Sequence, residues 1–207
     1  MLNETMSTTK RGRLILMIAA PIHGKTVLGK GIARTDFGIY FDVDMFREHW
    51  FPDWRQVADL PGHSHNFDID FHFHTMAVAI MMQEVDSQLN QGKTVVVAGT
   101  WSQSQFRGPL LDYLAGRGKD HEFHAIRLVG KLSEDQVKER LAERASRNDQ
   151  SPIQKYDLYE KAWQWQHDLF EGSTEEPWIK PDLEVDTTQL SFEESLDTVR
   201  EFLKGKN

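Results

Sequence analysis

The sequence has 207 residues and a formal net charge of −8, from 24 basic and 32 acidic side chains. A chain of this size suits one domain with its own core, and the acid excess disfavours broad attraction to nucleic acid or anionic lipid, so any polyanion site has to be local. Cysteine is absent, which excludes disulfides, thiolate metal sites and a cysteine nucleophile, and fits a reducing cytoplasm.

The opening MLNETMSTTKRGR is polar and mixed in charge, and the apolar run LILMIAA at 14–20 is too short for a signal-peptide core or a membrane span. A soluble, cytoplasmic protein is expected. Bounded by Arg13 and Pro21, that run reads as a strand buried on both faces of a parallel sheet. A small-residue turn follows, and KTVLGKGIAR then sets Val27, Leu28 and Ile32 at helical spacing. GIYFDV at 38–43 predicts a second strand, KTVVV at 93–97 a third, HAIRLV at 124–129 a fourth and 183–185 a short fifth. Helices are predicted between them at 75–90, 105–117, 134–147, 154–170 and 192–203. Buried strands alternating with helices argue for a doubly wound α/β sheet with helices on both faces. With no repeat, low-complexity tract or linker, residues 1–207 read as one domain. The stretch 48–75, dense in aromatics and histidine and carrying two prolines, is expected to be irregular. It follows directly from the carboxyl end of the second strand, where open α/β sheets bind ligands, and is the candidate acceptor-binding insert.

AAPIHGKT at 19–26 approximates the phosphate-loop pattern GxxxxGK[ST], with Ala19 in place of the first glycine. Such a loop works by wrapping backbone amides around phosphates while the following helix points its positive end at them. The expected nucleotide site is therefore Ala20, Pro21, Ile22, His23, Gly24, Lys25, Thr26 and Val27. Lys25 would reach the β and γ phosphates and the Thr26 hydroxyl would help to hold Mg²⁺. A methyl at position 19 is accommodated if φ there is negative. GKT is also a short pattern that arises by chance, and what favours the site is its setting between a predicted strand and a predicted helix.

FDVDMFR puts Asp42 and Asp44 at the end of the second strand. A kinase acting on an alcohol needs a carboxylate to take the hydroxyl proton and cations to spread the charge of the transferred group. Asp44 is assigned as that base, with Arg47 holding the acceptor; the structural alternative is that these residues cap the next helix, with Asp44 as N-cap. Further on, KERLAERASRND carries Arg140, Arg144 and Arg147, the first two a turn apart on one face. That face is either solvated and paired with Glu139 and Glu143 or, beside a phosphate loop, a lid whose guanidiniums close on the triphosphate.

Taken in order, AAPIHGKT, DVDMFR, VVVAGTWSQSQFR, KERLAERASRND and LEVDTTQLSFEESLDTVREFL resemble the small P-loop kinases of the shikimate, gluconate and zeta-toxin kind, including the 5′-kinase domain of phage polynucleotide kinase. The resemblance implies a three-layer α/β/α fold with strand order 2-3-1-4-5 and a lid over 132–170. It implies ATP and Mg²⁺ at Lys25 and Thr26, Asp44 as base, Arg47 on the acceptor, and Arg140 with Arg144 in the lid. Relatives commonly carry an aspartate in the third-strand turn where this chain has Ala98, Gly99 and Thr100, and Asp42 is the candidate substitute for its help to the metal.

Three functions follow as expectations. The first is transfer of the γ-phosphate of ATP to a hydroxyl of a small polar acceptor. The second is a kinase for nucleic-acid ends or modified bases, with a local groove of Arg47, Arg55 and Arg107 offsetting the acidic charge. The third is a degenerate nucleotide-binding module, which Ala19 and Ala98 would permit.

PGHSHNFDIDFHFHT brings His63, His65, His72 and His74 together with Asp68 and Asp70. In an extended strand His72 and His74 would share a face, as would His63 and His65, so a zinc site competes with a polar pocket lining. GTWSQS lacks the GxSxG elbow of a serine nucleophile.

Overall fold

A computed structural model describes residues 11–36, 38–53, 67–101, 104–146 and 179–205 of the protein. Five strands form one parallel sheet: β1 (Arg13–Ile18), β2 (Ile39–Asp42), β3 (Thr94–Gly99), β4 (Glu122–Val129) and β5 (Leu183–Asp186). Their order is β2-β3-β1-β4-β5, as the resemblance implies. The helices are α1 (Lys25–Thr35), α2 (Val43–Trp50), α3 (Phe67–Asn90), α4 (Ser104–Ala115), α5 (Glu134–Ser146) and α6 (Phe192–Lys204), with a 3₁₀ turn at Arg117–Asp120.

The period-2 alternation of β1 divides the core. Leu14, Leu16, Ile18 and Ala20 pack with α3 and α4 through Ala77, Val78, Met81, Val85 and Leu110. Ile15, Met17 and Ala19 face the other way, onto Leu28 and Ile32 of α1 and Leu196, Val199 and Leu203 of α6. A strand apolar at every position therefore serves two layers at once, which is why it reads as a continuous run rather than an alternating one. β3 does the same, with Val95 and Val97 on one face and Val96 and Ala98 on the other.

Two expectations are corrected. The strand predicted at 38–43 stops at Asp42, because Val43 opens α2 and is itself buried. The helix predicted from 75 starts at Phe67. Its first residues, FDIDFHFH, alternate apolar and polar with a strand-like period, but the segment is helical, and the Phe73 ring meets Phe51, just after α2, at 5.2 Å. Positions two apart on a helix face different directions, so the shared face that an extended His72–Xaa–His74 stretch would offer a metal does not form. His63 and His65 lie outside the described residues, as do Arg55, Arg147 and the predicted helix at 154–170. The acceptor segment is described only at 48–53 and 67–75, and the lid region only up to residue 146. No group of three or more His, Cys, Asp or Glu side chains placed to hold a metal occurs among the described residues, and none of their helices is long and apolar enough to cross a membrane.

Candidate phosphate-binding and phosphotransfer site

β1 runs straight into the loop. Ala19 is fully buried, its amide donates to the Gly99 carbonyl (3.4 Å), and it is not among the residues with positive φ. A methyl is therefore no obstacle where the motif usually has its first glycine. Left-handed backbone comes later, at Ile22 (φ 61°) and Gly24 (φ 84°). For a β-branched residue such as Ile22 that conformation is an outlier costing about 1–2 kcal/mol, so something must hold it.

The restraint acts on the carbonyls. Nδ1 of His23 lies 3.0 Å from the Pro21 oxygen, Arg140 Nη1 donates to the Ile22 oxygen (3.0 Å), and Thr187 Oγ1 donates to the His23 oxygen (3.2 Å). In a trans peptide the C=O and the next N–H point in opposite directions. With three successive carbonyls tied back to the protein, the amides of Ile22, His23 and Gly24 are turned to the opposite side. A further bond braces the struts: Arg140 Nη2 donates to the Thr187 oxygen (3.1 Å). His23 Nε2 lies 3.0 Å from the Gly130 oxygen, a second acceptor within reach of a ring that, when neutral, has one N–H to give. The Ile22 side chain packs on Leu132, Val137 and Leu141, joining the loop to α5.

The helix that follows is built differently from others in the chain. Asp42 caps α2, Ser133 caps α5 by accepting from Gln136 N, and Ser191 with Glu194 forms a capping box on α6. The N-cap of α1 is Gly24, with no side-chain cap and no acidic residue in the first turn. Its first amides and its positive dipole end thus carry neither an N-cap side chain nor an acid of the helix's own first turn, the arrangement that suits a bound phosphate. A Cβ added at Gly24 would meet no atom within 4 Å, so that side of the loop is open.

Asp42 and Asp44 divide their roles. Asp42, not Asp44, is the N-cap of α2: its Oδ1 accepts from the Asp44 amide at 3.0 Å. Burial first, then the neighbouring charge of Asp44, push the Asp42 carboxyl above the usual carboxylate range, against the opposing pull of Lys25, the Asp44 amide and the Tyr40 hydroxyl. Asp42 pairs in register with Ala98. Its carboxylate thus stands beside the position where the resemblance wants an aspartate, so substitution between adjacent strands is sterically natural. Asp44 is 61% exposed and receives Arg47 Nη2 at 2.7 Å, an ion pair one turn along α2. Arg47 therefore orients the carboxylate assigned as base.

The remaining assignments meet different settings. Arg107 is fully buried and its Nη1 donates to the Trp101 carbonyl (2.9 Å), which takes it out of an exposed nucleic-acid groove. Trp101 is itself left-handed (φ 52°), and its buried indole N–H meets no hydrogen-bond partner among the described residues. Arg144 lies in α5, but its side chain lies outside the described residues. Val27 is half exposed at the start of α1. Residues that sequence reasoning passed over include Tyr40, Gly130 and Thr187. Tyr40 could have been found, because it shares a strand face with Asp42; nothing local marks Thr187, whose role depends on β5 closing against β1 through β4.

The donor set fits the groups that the fold implies. The Thr26 hydroxyl and the Asp42 carboxylate are oxygen ligands of the kind a hard cation such as Mg²⁺ takes, and Lys25 beside the uncapped amides of α1 suits the phosphates of ATP.

No family model matches the chain, and no curated protein matches it in sequence. Solved structures do match in fold. A sugar kinase from Janibacter sp. is 12% identical, with 94% of this chain and 95% of that one covered and a TM-score of 0.57. The APS kinase CysC of Mycobacterium tuberculosis, in complex with AMPPNP and APS, is 15% identical over 94% and 98%, with a TM-score of 0.56. A gluconokinase from Sinorhizobium meliloti is 17% identical over 96% and 98%, with a TM-score of 0.56. The chain has the fold of the small P-loop kinases, a five-stranded parallel sheet with helices on both sides.

Proposed function

We propose that the protein is an ATP- and Mg²⁺-dependent kinase that moves the γ-phosphate of ATP to a hydroxyl of a small polar acceptor. The observation that carries this reading is the combination at the start of α1: three loop carbonyls are tied away while the helix N-terminus is left without a side-chain cap. Backbone donors so arranged favour an anion over water or protein.

In this reading, ATP supplies the transferred group and Mg²⁺ neutralises its charge. Lys25 and the amides around Gly24 bind the phosphate chain, and Thr26 and Asp42 hold the cation. Asp44 accepts the proton of the acceptor hydroxyl while Arg47 holds that carboxylate in place and lines the acceptor side, with Arg107 behind it. Arg140 contributes through the loop, fixing its carbonyls from behind and adding positive charge there, and Arg144 belongs to the lid. Ala19, at a backbone position with no need of glycine, weighs against a degenerate site.

The test is transfer from γ-labelled ATP to a panel of sugars, hydroxy acids, nucleosides and a DNA or RNA oligonucleotide. Product with a small polyol or hydroxy acid is expected, and Lys25→Ala should abolish it while the unfolding temperature holds. Transfer to the oligonucleotide alone, steeply lost with salt, would favour the nucleic-acid kinase. Tight ATP binding by calorimetry, with no product from any acceptor, would favour the binding module.

A further inference from the structure

Tyr40 lies outside every motif read from the sequence, yet it bonds to one of the two residues assigned to the cation. It sits on β2, half buried on the α1 side of the sheet. Its hydroxyl donates to Asp42 Oδ2 at 3.0 Å. A phenol has a single proton to give. That proton goes to Asp42, so one oxygen of the carboxylate is held from the same strand. The other oxygen of Asp42 is fixed by the Asp44 amide at 3.0 Å.

The ring has a prepared seat. Gly29 is buried one turn beyond Thr26, and a Cβ at that position would stand 2.8 Å from Cε2 and 3.2 Å from Cδ2 of Tyr40. Only a hydrogen leaves room for the ring. Lys30 Nζ lies 5.6 Å from the ring centroid, a cation–π contact. Thr26, Gly29 and Lys30 are i, i+3 and i+4 on α1, so one stripe of the helix receives the ring.

We propose that Tyr40 is a positioning residue for the divalent cation: with its ring seated on α1 at Gly29, its hydroxyl holds Oδ2 of Asp42 on β2, so that the carboxylate presents a fixed set of lone pairs to the ion. Partners of this outer kind set ligand orientation, and their loss typically weakens metal binding about 10–100-fold. The inference rests on the reading of Thr26 and Asp42 as the cation site.

The experiment is calorimetric titration of ADP into the full chain, in EDTA and again in saturating Mg²⁺, with Mn²⁺ binding to the ADP complex followed by electron paramagnetic resonance. In the native protein, Mg²⁺ should tighten ADP binding. Tyr40→Phe should keep the EDTA affinity within about twofold but lose about tenfold of the metal-dependent gain and of the Mn²⁺ affinity. Gly29→Ala, which retains the hydroxyl but displaces the ring, should reproduce that loss, and it carries the test if Tyr40→Phe does not fold. An undiminished gain in both variants, or an equal loss in EDTA and in Mg²⁺, overturns the positioning role. Absence of any metal-dependent gain in the native protein instead sinks the cation site itself, and the inference with it.

Discussion

The two poles of the sheet are built on different principles. Four of the five described residues with positive φ, Ile22, Gly24, Trp101 and Gly130, follow the carboxyl ends of β1, β3 and β4, and the fifth, Gly92, precedes β3. At the carboxyl pole, side chains from distant segments bond to backbone oxygens, and burial with the neighbouring charge of Asp44 raises the Asp42 carboxyl. At the amino pole the polar groups pair with one another: Arg13 Nε meets Glu122 Oε2 at 2.8 Å, and His124 Nε2 meets Oε1 at 2.7 Å. Strain persists only where the surroundings over-determine it, and it gathers where a ligand is to be met. The amino pole pairs these charged groups with one another; the carboxyl pole is braced to face something else.

Substitutions can break that contrast or sharpen it. The largest effect is expected for Asp44→Asn, which should lower kcat by about 10²–10⁴ with little change in ATP affinity; steady-state rates with the acceptor found above would show whether a carboxylate of this pole is as dispensable as one at the other. Arg140→Ala removes two charged hydrogen bonds to carbonyls. Such bonds contribute roughly 1.5–3 kcal/mol each, and ADP affinity in EDTA should fall at least tenfold as the loop loses its left-handed form. Unchanged affinity would mean that the struts do not shape the cradle.

Gly24→Ala introduces no clash but forces alanine to φ 84°, so denaturant unfolding should register a loss of about 1–2 kcal/mol. Gly205→Ala, directly after Lys204, which lines a hollow with Arg13 at the other pole, has φ −73° and should be neutral or stabilising by about 0.4–1 kcal/mol. Smallest of all is Glu122→Gln. Burial alone would raise the Glu122 carboxyl, but hydrogen bonds from Arg13 and His124 outweigh it and hold the group below its usual range. A depressed carboxylate adds stability above its unfolded value of about 4.3 and loses it as pH falls through the folded value. Native protein should therefore exceed the variant by about 0.2–1 kcal/mol at pH 7 and converge with it in acid, with turnover unaffected throughout.

Much of the fold was legible because the central strands β1 and β3 carry continuous apolar runs and the helices that cover them are punctuated by caps such as Ser191 with Glu194. The strand-to-helix turn at Gly24 was legible for the same reason. What local pattern could not give were partners far apart in the chain: Arg140 with Ile22, Thr187 with His23, the Tyr40 ring with Gly29. The early start of α3 was hidden by an alternating aromatic stretch whose period suggests a strand while its packing on α2 makes a helix. Asp42 as helix cap was likewise obscured, since two aspartates two residues apart offer the same signal and only backbone geometry separates them.

Every amino acid brings the same main-chain oxygen, whatever its side chain. A cradle gripped at the oxygens of Pro21, Ile22 and His23 can therefore change its letters without changing its shape, carrying isoleucine at a left-handed turn and alanine at its entrance. Kinship among such loops is better sought in the arginine, threonine and histidine that do the gripping than in a tally of glycines.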